Sequence, residues 1–313
     1  LHSNADITYR TEESKGILAT ILDIQPKESS GTGGETREDK VMKIADNLLA
    51  KTPADFNPDT VASNIKRLGG TFKNSLNVFL KQEIDRLQIL IRLTRKTLVE
   101  LKLAIDGTII MSPTLQDALN NLHDGRVPTA WSKYSWHAAT LGLWFTELLM
   151  RYEQLFNWLT VERPKSFWIA GFYNPQGFLT AVQQEVTRNK HGWALDDVIL
   201  KTEVTKMEKS DVNAAPEEGV YIHGLYLEGA GWDKKNSRLA EALPKILYTE
   251  LPVLLITAQT TEKKVGRKLY PCPVYRTKTR NDLTYIFTVD LNCAEDRSHW
   301  KMRGVALLTN KDS

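Results

Sequence analysis

Histidine, aspartate and serine are the side chains of a charge-relay nucleophile. The stretch GVYIHGLYLEGAGWD (219–233) holds two of them, His223 and Asp233, beside the indole of Trp232. An imidazole steadied by a carboxylate would take the proton of a serine hydroxyl supplied from elsewhere in the sequence, which is acyl-transfer chemistry. A single histidine on an alternating strand is more commonly a satisfied structural residue. The glycines of the same stretch, Gly229 and Gly231, permit a bend or bulge that a tryptophan ring covers, with no ligand required. The expectation from these residues alone is architecture.

Other reactive patterns are weaker. The loop SGTGGET (30–36) has glycines but no hydrophobic strand before it and no spaced lysine, and the dipeptide Gly-Lys occurs nowhere, so no Walker phosphate loop is present. H-E-x-x-H and G-x-S-x-G are also absent. Glu217 and Glu218 are adjacent and would point to opposite faces of a strand, so they read as a turn after Pro216 rather than as a carboxylate pair. Cys272 and Cys293 are the only cysteines. They form no C-x-x-C and predict neither a zinc site nor a disulfide framework, in keeping with a reducing compartment. No catalytic residue, cofactor or metal ligand is assigned. Of the eight tryptophans, Trp144 and Trp158 fall on helical stripes and Trp168 lies in the apolar run SFWIAGF, so all three read as core. Trp232 and Trp300 stand beside turns and charges and are the better contact candidates.

The elements that would hold these residues change character along the sequence. The 313 residues include 41 basic and 38 acidic side chains, a net charge of +3, and are 42% hydrophobic. Such a polypeptide forms real cores and carries no electrostatic footprint for nucleic acid. The uncharged run 166–184 contains Pro175, two glycines and glutamines, which make a poor membrane span, so a soluble protein is expected. The opening LHSNADITYR has neither an initiating Met nor a signal-peptide pattern and reads as the start of a piece of a longer polypeptide.

The first half predicts helices. YRTEESKGILATILDI is amphipathic through Ile17, Leu18, Ile21 and Leu22, and Pro26 stops it. Thr36 and Asp39 can cap REDKVMKIADNLLAK. A long helix starts at Leu76, with apolar residues at 80, 84, 87, 91, 98, 101 and 105 and a stop at Gly107. Its outer face, with Lys81, Asp85, Arg92, Lys96 and Lys102, is a solvated mixture of charges. SPTLQDALNNLHDG is a short helix with Ser112 as cap, Pro113 in its first turn and Gly125 beyond its end. HAATLGLWFTELLMRYEQLFNWLT and PQGFLTAVQQEVTRNKHG repeat the amphipathic pattern. Near residue 197 the texture changes to short β-branched and aromatic runs: VILKTEVTK, GVYIHGLYLEG, LPVLLITAQ, CPVYRT, LTYIFTVDL and RGVALLTN. These predict a mostly antiparallel sheet. The fold class is α+β, a helical N-terminal half followed by an antiparallel barrel-like or sandwich tail.

In this order the pieces LHSNADITY, FLKQEIDRLQILIRLTRKTL, GRVPTAWSKYSW, FWIAGFYNPQGFLTAVQQEVTR, GVYIHGLYLEGAGWD, LAEALPKILYTELPVL, LYPCPVY and HWKMRGVALL cover nearly the whole sequence. Together they resemble the C-terminal region of axonemal dynein heavy chains, the motor ATPases of cilia and flagella. Two positions depart from the family: Ser3, where Pro is more frequent, and Gly231, where Arg or another larger residue is common. KTRNDLTYIF (278–287) looks like the outer-arm group.

The resemblance implies that residues 1–72 are the helical lid of the sixth AAA+ module and 73–313 the C-terminal domain, helical over 73–195 and β over 196–313. It also implies that ATP and ADP bind upstream, that the segment has no active site, and that it braces the motor ring in the axoneme. Its partners would be the other AAA+ modules of the heavy chain and, through the parent, dynein subunits and microtubules, with no nucleic acid and no membrane. Trp168, Pro175, Gly224, Gly229, Trp232 and Trp300 are the structural or contact candidates. The competing readings are a ligand pocket in the β tail built on His223, Asp233 and Trp232, or a β module that recruits other axonemal proteins.

Overall fold

A computed structural model describes residues 36–71, 74–260 and 268–310. The expected helix over 9–24 and most of the SGTGGET loop lie outside the described residues. The protein divides into two compact units.

The helical unit comprises residues 36–71, 74–164 and 171–185. Helix α1 (Arg37–Lys51) starts on the anticipated capping box: Thr36 Oγ1 accepts the Asp39 amide at 3.1 Å, and the Asp39 carboxylate accepts the Thr36 amide at 3.2 Å. α2 (Pro58–Arg67) is capped by Asn57 and opened by proline. α3 (Ser75–Ile105) is the spine, 31 residues or about 46 Å at 1.5 Å per residue. Its stripe Leu76, Leu80, Ile84, Leu87, Ile91, Leu98 and Leu101 is wholly buried, and α1 and α2 pack against it. Gly107 ends it at φ 77°. The Gly107 amide reaches the Ala104 carbonyl at 3.2 Å and the Thr108 amide that of Leu103 at 2.8 Å, which together make a Schellman closure. The charged outer face is neutralised in pairs, Lys81 with Asp85 and Arg92 with Asp55.

α4 (Pro113–His123) is capped by Ser112, and the backbone leaves it through Gly125 at φ 69°. α5 (Thr129–Ser132), α6 (Leu141–Thr160) and the start of α7 (Pro175–Arg188) complete the bundle. Trp144 and Trp158 are buried, as their stripes require.

The β unit comprises residues 165–170, 186–260 and 268–310. Its first strand comes earlier than the change of texture suggests. β1 (Phe167–Trp168) pairs in parallel with β3 (Val220–His223). With β8 (Leu254–Gln259) and β2 (Ile199–Val204) these make a four-stranded sheet in the order β1-β3-β8-β2. β4 (Tyr226–Glu228), β7 (Tyr248–Glu250), β9 (Leu269–Tyr275), β10 (Tyr285–Asn292) and β11 (Ala306–Leu308) form a second sheet, order β10-β9-β11-β4-β7. β11 and β9 are its parallel pair. β5 (Gly231–Asp233) and β6 (Arg238–Ala240) form a hairpin, and α8 (Arg297–Met302) precedes β11.

The tail is therefore a set of mixed sheets and not a closed barrel. The reason is local. The alternation of 219–229 predicts one strand, but Gly224 at φ 83° breaks it, so β3 and β4 enter different sheets. Val220 and Ile222 do face one core, as alternation predicts, while Leu225 and Leu227 are buried beyond the break.

Candidate functional site

Ser166 and His223 are brought together: Oγ lies 2.8 Å from Nδ1 across the parallel β1–β3 pair. This is the serine that a relay would need. The carboxylate is not delivered. Asp233 Oδ1 accepts the Asn236 amide at 3.1 Å, its other oxygen accepts the Asn236 side-chain amide at 2.6 Å, and Arg238 stands 3.7 Å away. It thus holds the β5–β6 turn. His223 Nε2 is buried with no hydrogen-bond partner among the described residues. Burial, aided by the Lys209 charge, lowers the imidazole pKa from 6.5 to about 4. The ring is neutral at pH 7 and lacks the orienting acid of a relay, so the pair ties β1 to β3.

The candidate glycines and aromatics fall into structural places. A Cβ on Gly224 would stand 2.7 Å from Trp168 Cδ1, so the strand break and the half-buried indole require each other. Gly229, at φ 79°, comes so close to Arg303 that a Cβ would be 2.9 Å from its carbonyl oxygen. At Gly231 a Cβ would be 2.8 Å from the Glu241 carbonyl oxygen, so any larger residue there requires that carbonyl to move. Trp232 is 9% exposed and Trp300 1%, so both indoles fold inward, as nearby turns and charges do not by themselves expose a side chain. Pro175 is buried in the first turn of α7, behind Asn174, whose Oδ1 accepts the Gly177 amide at 3.0 Å.

Two buried charges escape a sequence reading. Glu83, 1% exposed on α3, accepts the Tyr173 amide at 2.6 Å and the Asn174 amide at 3.0 Å. A carboxylate from one helix thus satisfies the donors at the N-terminus of another. Arg151, 5% exposed on α6, pairs with Glu147 at 2.9 Å, and its guanidinium carbon lies 3.6 Å from the centroid of the Trp136 ring. Trp136 stacks on Trp144 at 5.8 Å, and Trp144 on Trp131 at 5.0 Å. Desolvation lowers the Arg151 pKa to about 10, which leaves it cationic at pH 7. The available signal is a charge on an apolar stripe: Glu83 lies between Leu80 and Leu87, and Arg151 between Leu148 and Leu155.

Among the described residues no group of three or more His, Cys, Asp or Glu is placed to hold a metal ion, and no helix is long and apolar enough to cross a membrane. The polar constellations around Ser166, Asp233, Glu83 and Arg151 are ties within the fold.

Comparison with known proteins gives these ties a context. The family model for the C-terminal domain of the dynein heavy chain matches residues 11–309. Dynein axonemal heavy chain 5 of Mus musculus is 53% identical over 308 residues, 98% of this sequence and 7% of that protein. Dynein axonemal heavy chain 8 of Homo sapiens is 50% identical over 98% of this sequence and 7% of its own length. The dynein gamma chain of the flagellar outer arm of Chlamydomonas reinhardtii is 45% identical over 100% of this sequence and 7% of its own. The present polypeptide thus spans about 7% of the length of these curated relatives. With the family model matched over nearly its whole length, it belongs to the family of C-terminal domains of dynein heavy chains.

Proposed function

We propose that this polypeptide is a non-catalytic brace of an axonemal dynein motor ring. In this reading residues 1–72 are the lid of the last AAA+ module and 73–313 the C-terminal domain. Nucleotide is bound and hydrolysed upstream, and microtubules and other dynein subunits are engaged through the parent heavy chain in the cilium or flagellum. The observation that carries the reading is the 31-residue helix α3, buried on one side against its neighbours and anchored to α7 through the Glu83 carboxylate. A long, internally tied helix transmits displacement with little deformation.

The segment would act by packing. A difference of about 1–3 kcal/mol in how it fits two ring conformations suffices to shift stepping or force with no chemistry of its own. A parent motor lacking residues 76–313 is expected to retain ATP turnover and to change run length or stall force. Unchanged run length and force, or loss of ATP binding at the upstream sites, overturns the reading.

A further inference from the structure

The hairpin of β5 and β6 turns through Lys234, Lys235, Asn236 and Ser237. In the whole sequence Ser237 is the one serine or threonine with cations at both the second and the third position before it. Two cations ahead of a hydroxyl are the charge pattern that a serine kinase with an acidic substrate groove selects. Lys235 is exposed, and Lys234, 65% exposed, holds Glu208 at 2.6 Å in a surface pair that gives way at little cost.

The hydroxyl itself is available. Ser237 is half-buried and its carbonyl accepts the Asn292 side-chain amide at 3.1 Å, but its Oγ makes no hydrogen bond among the described residues and is not enclosed. Ser166 is the contrast: Arg163 and Lys165 precede it, yet its Oγ is engaged by His223 at 2.8 Å. A kinase takes its substrate as an extended segment, so the turn must open. Three residue pairs join β5 to β6, with Asp233 and Arg238 next to the turn, and so short a ladder opens locally. Ser237 also stands at φ 49°, which an L side chain disfavours and an extended backbone relieves.

We propose that Ser237 is a phosphoacceptor for a serine kinase that selects basic substrates. The γ-phosphoryl group of ATP passes to Oγ: the bond from the γ-phosphorus to the oxygen bridging it to ADP breaks, the Oγ–P bond forms, and the hydroxyl proton goes to the general base of the kinase. The phosphate brings a charge of about −1.5 to −2 to a turn where Lys234, Lys235 and Arg238 outnumber Asp233, and so cancels most of the excess of cations. Arg238 lies 3.7 Å from the Asp233 carboxylate with its side chain 46% exposed, so it is loosely held and turns to the phosphate. The site is independent of the bracing reading, and its failure leaves that reading untouched.

The test uses the parent heavy chain isolated from axonemes with phosphatase inhibitors present, its peptides over 233–238 mapped by mass spectrometry. The same heavy chain, dephosphorylated, is then given ATP and the catalytic subunit of cyclic-AMP-dependent protein kinase. Phosphate on Ser237 is expected in both. Replacing Lys234→Ala together with Lys235→Ala should slow its incorporation about tenfold, while Lys234→Arg with Lys235→Arg preserves it. No phosphate on Ser237 in the isolated heavy chain, none after kinase treatment, or a rate indifferent to the alanine pair overturns the assignment.

Discussion

Glu83 and Tyr173, 90 residues apart, are joined by a 2.6 Å hydrogen bond from the Tyr173 amide to a carboxylate that is almost wholly buried. With the Asn174 amide at 3.0 Å, this makes α3 a cap for α7. Removing the carboxylate leaves two donors in a dry place, each with a desolvation cost. Glu83→Ala is expected to destabilise the domain by about 2–3 kcal/mol in urea unfolding. Glu83→Gln, which keeps an acceptor, should cost less. Equal losses from the two variants would contradict the capping role.

Arg151 and Glu147 form a buried pair, both charges removed from water. Arg151→Met leaves Glu147 uncompensated and should cost about 3 kcal/mol by chemical denaturation. The double variant Glu147→Gln, Arg151→Met should recover most of that loss, because no unpaired charge remains. Additive losses would show that packing on Trp136, and not the charge pair, sets the cost.

His223 predicts a pH dependence. Its folded pKa of about 4 lies below its ordinary 6.5. Between these values the unfolded state binds more protons than the folded one, so stability rises with pH across roughly 4 to 6.5. This contribution is complete above pH 6.5 and is lost as pH falls toward 4. His223→Gln should flatten the slope of unfolding free energy against pH in that window. An unchanged slope would mean that the ring titrates normally.

Gly224 and Trp168 predict a steric effect. Gly224→Ala places a methyl 2.7 Å from the indole and keeps a backbone φ of 83° that alanine disfavours. A loss of about 2 kcal/mol is expected in thermal or urea unfolding. Trp168→Leu in the same background should relieve only the part due to collision. A silent Gly224→Ala would refute the close packing.

Cys272 is completely buried, and burial raises the pKa of both thiols. Neither cysteine should react with a thiol-specific reagent in the native protein, and both should react after unfolding. Rapid native labelling at Cys272 would show that the β core opens.

The helices are legible in the sequence because their signals are local. The Thr36–Asp39 box, the Ser112–Pro113 start, the Gly107 and Gly125 stops and the stripe from Leu76 each lie within a few residues, where backbone donors, left-handed φ and the 3.6-residue period act. The longer strands are readable from alternation for the same reason. Three-residue strands such as β5, β6 and β7 carry too little alternation to register. That β3 and β4 part at Gly224 depends on where the Trp168 ring comes to lie.

The partners of Glu83, Arg151 and Ser166 also become visible only on folding. A sequence displays a charge on an apolar stripe as a conflict, and only tertiary structure supplies the amides, ring or imidazole that resolves it. Periodicity records which face of an element is buried, and so determined α+β order and the helical core in advance. Which elements meet is decided by residues far apart in the sequence, and on those depended the mixed sheets in place of a barrel, the α3–α7 cap and the inward turn of Trp232 and Trp300.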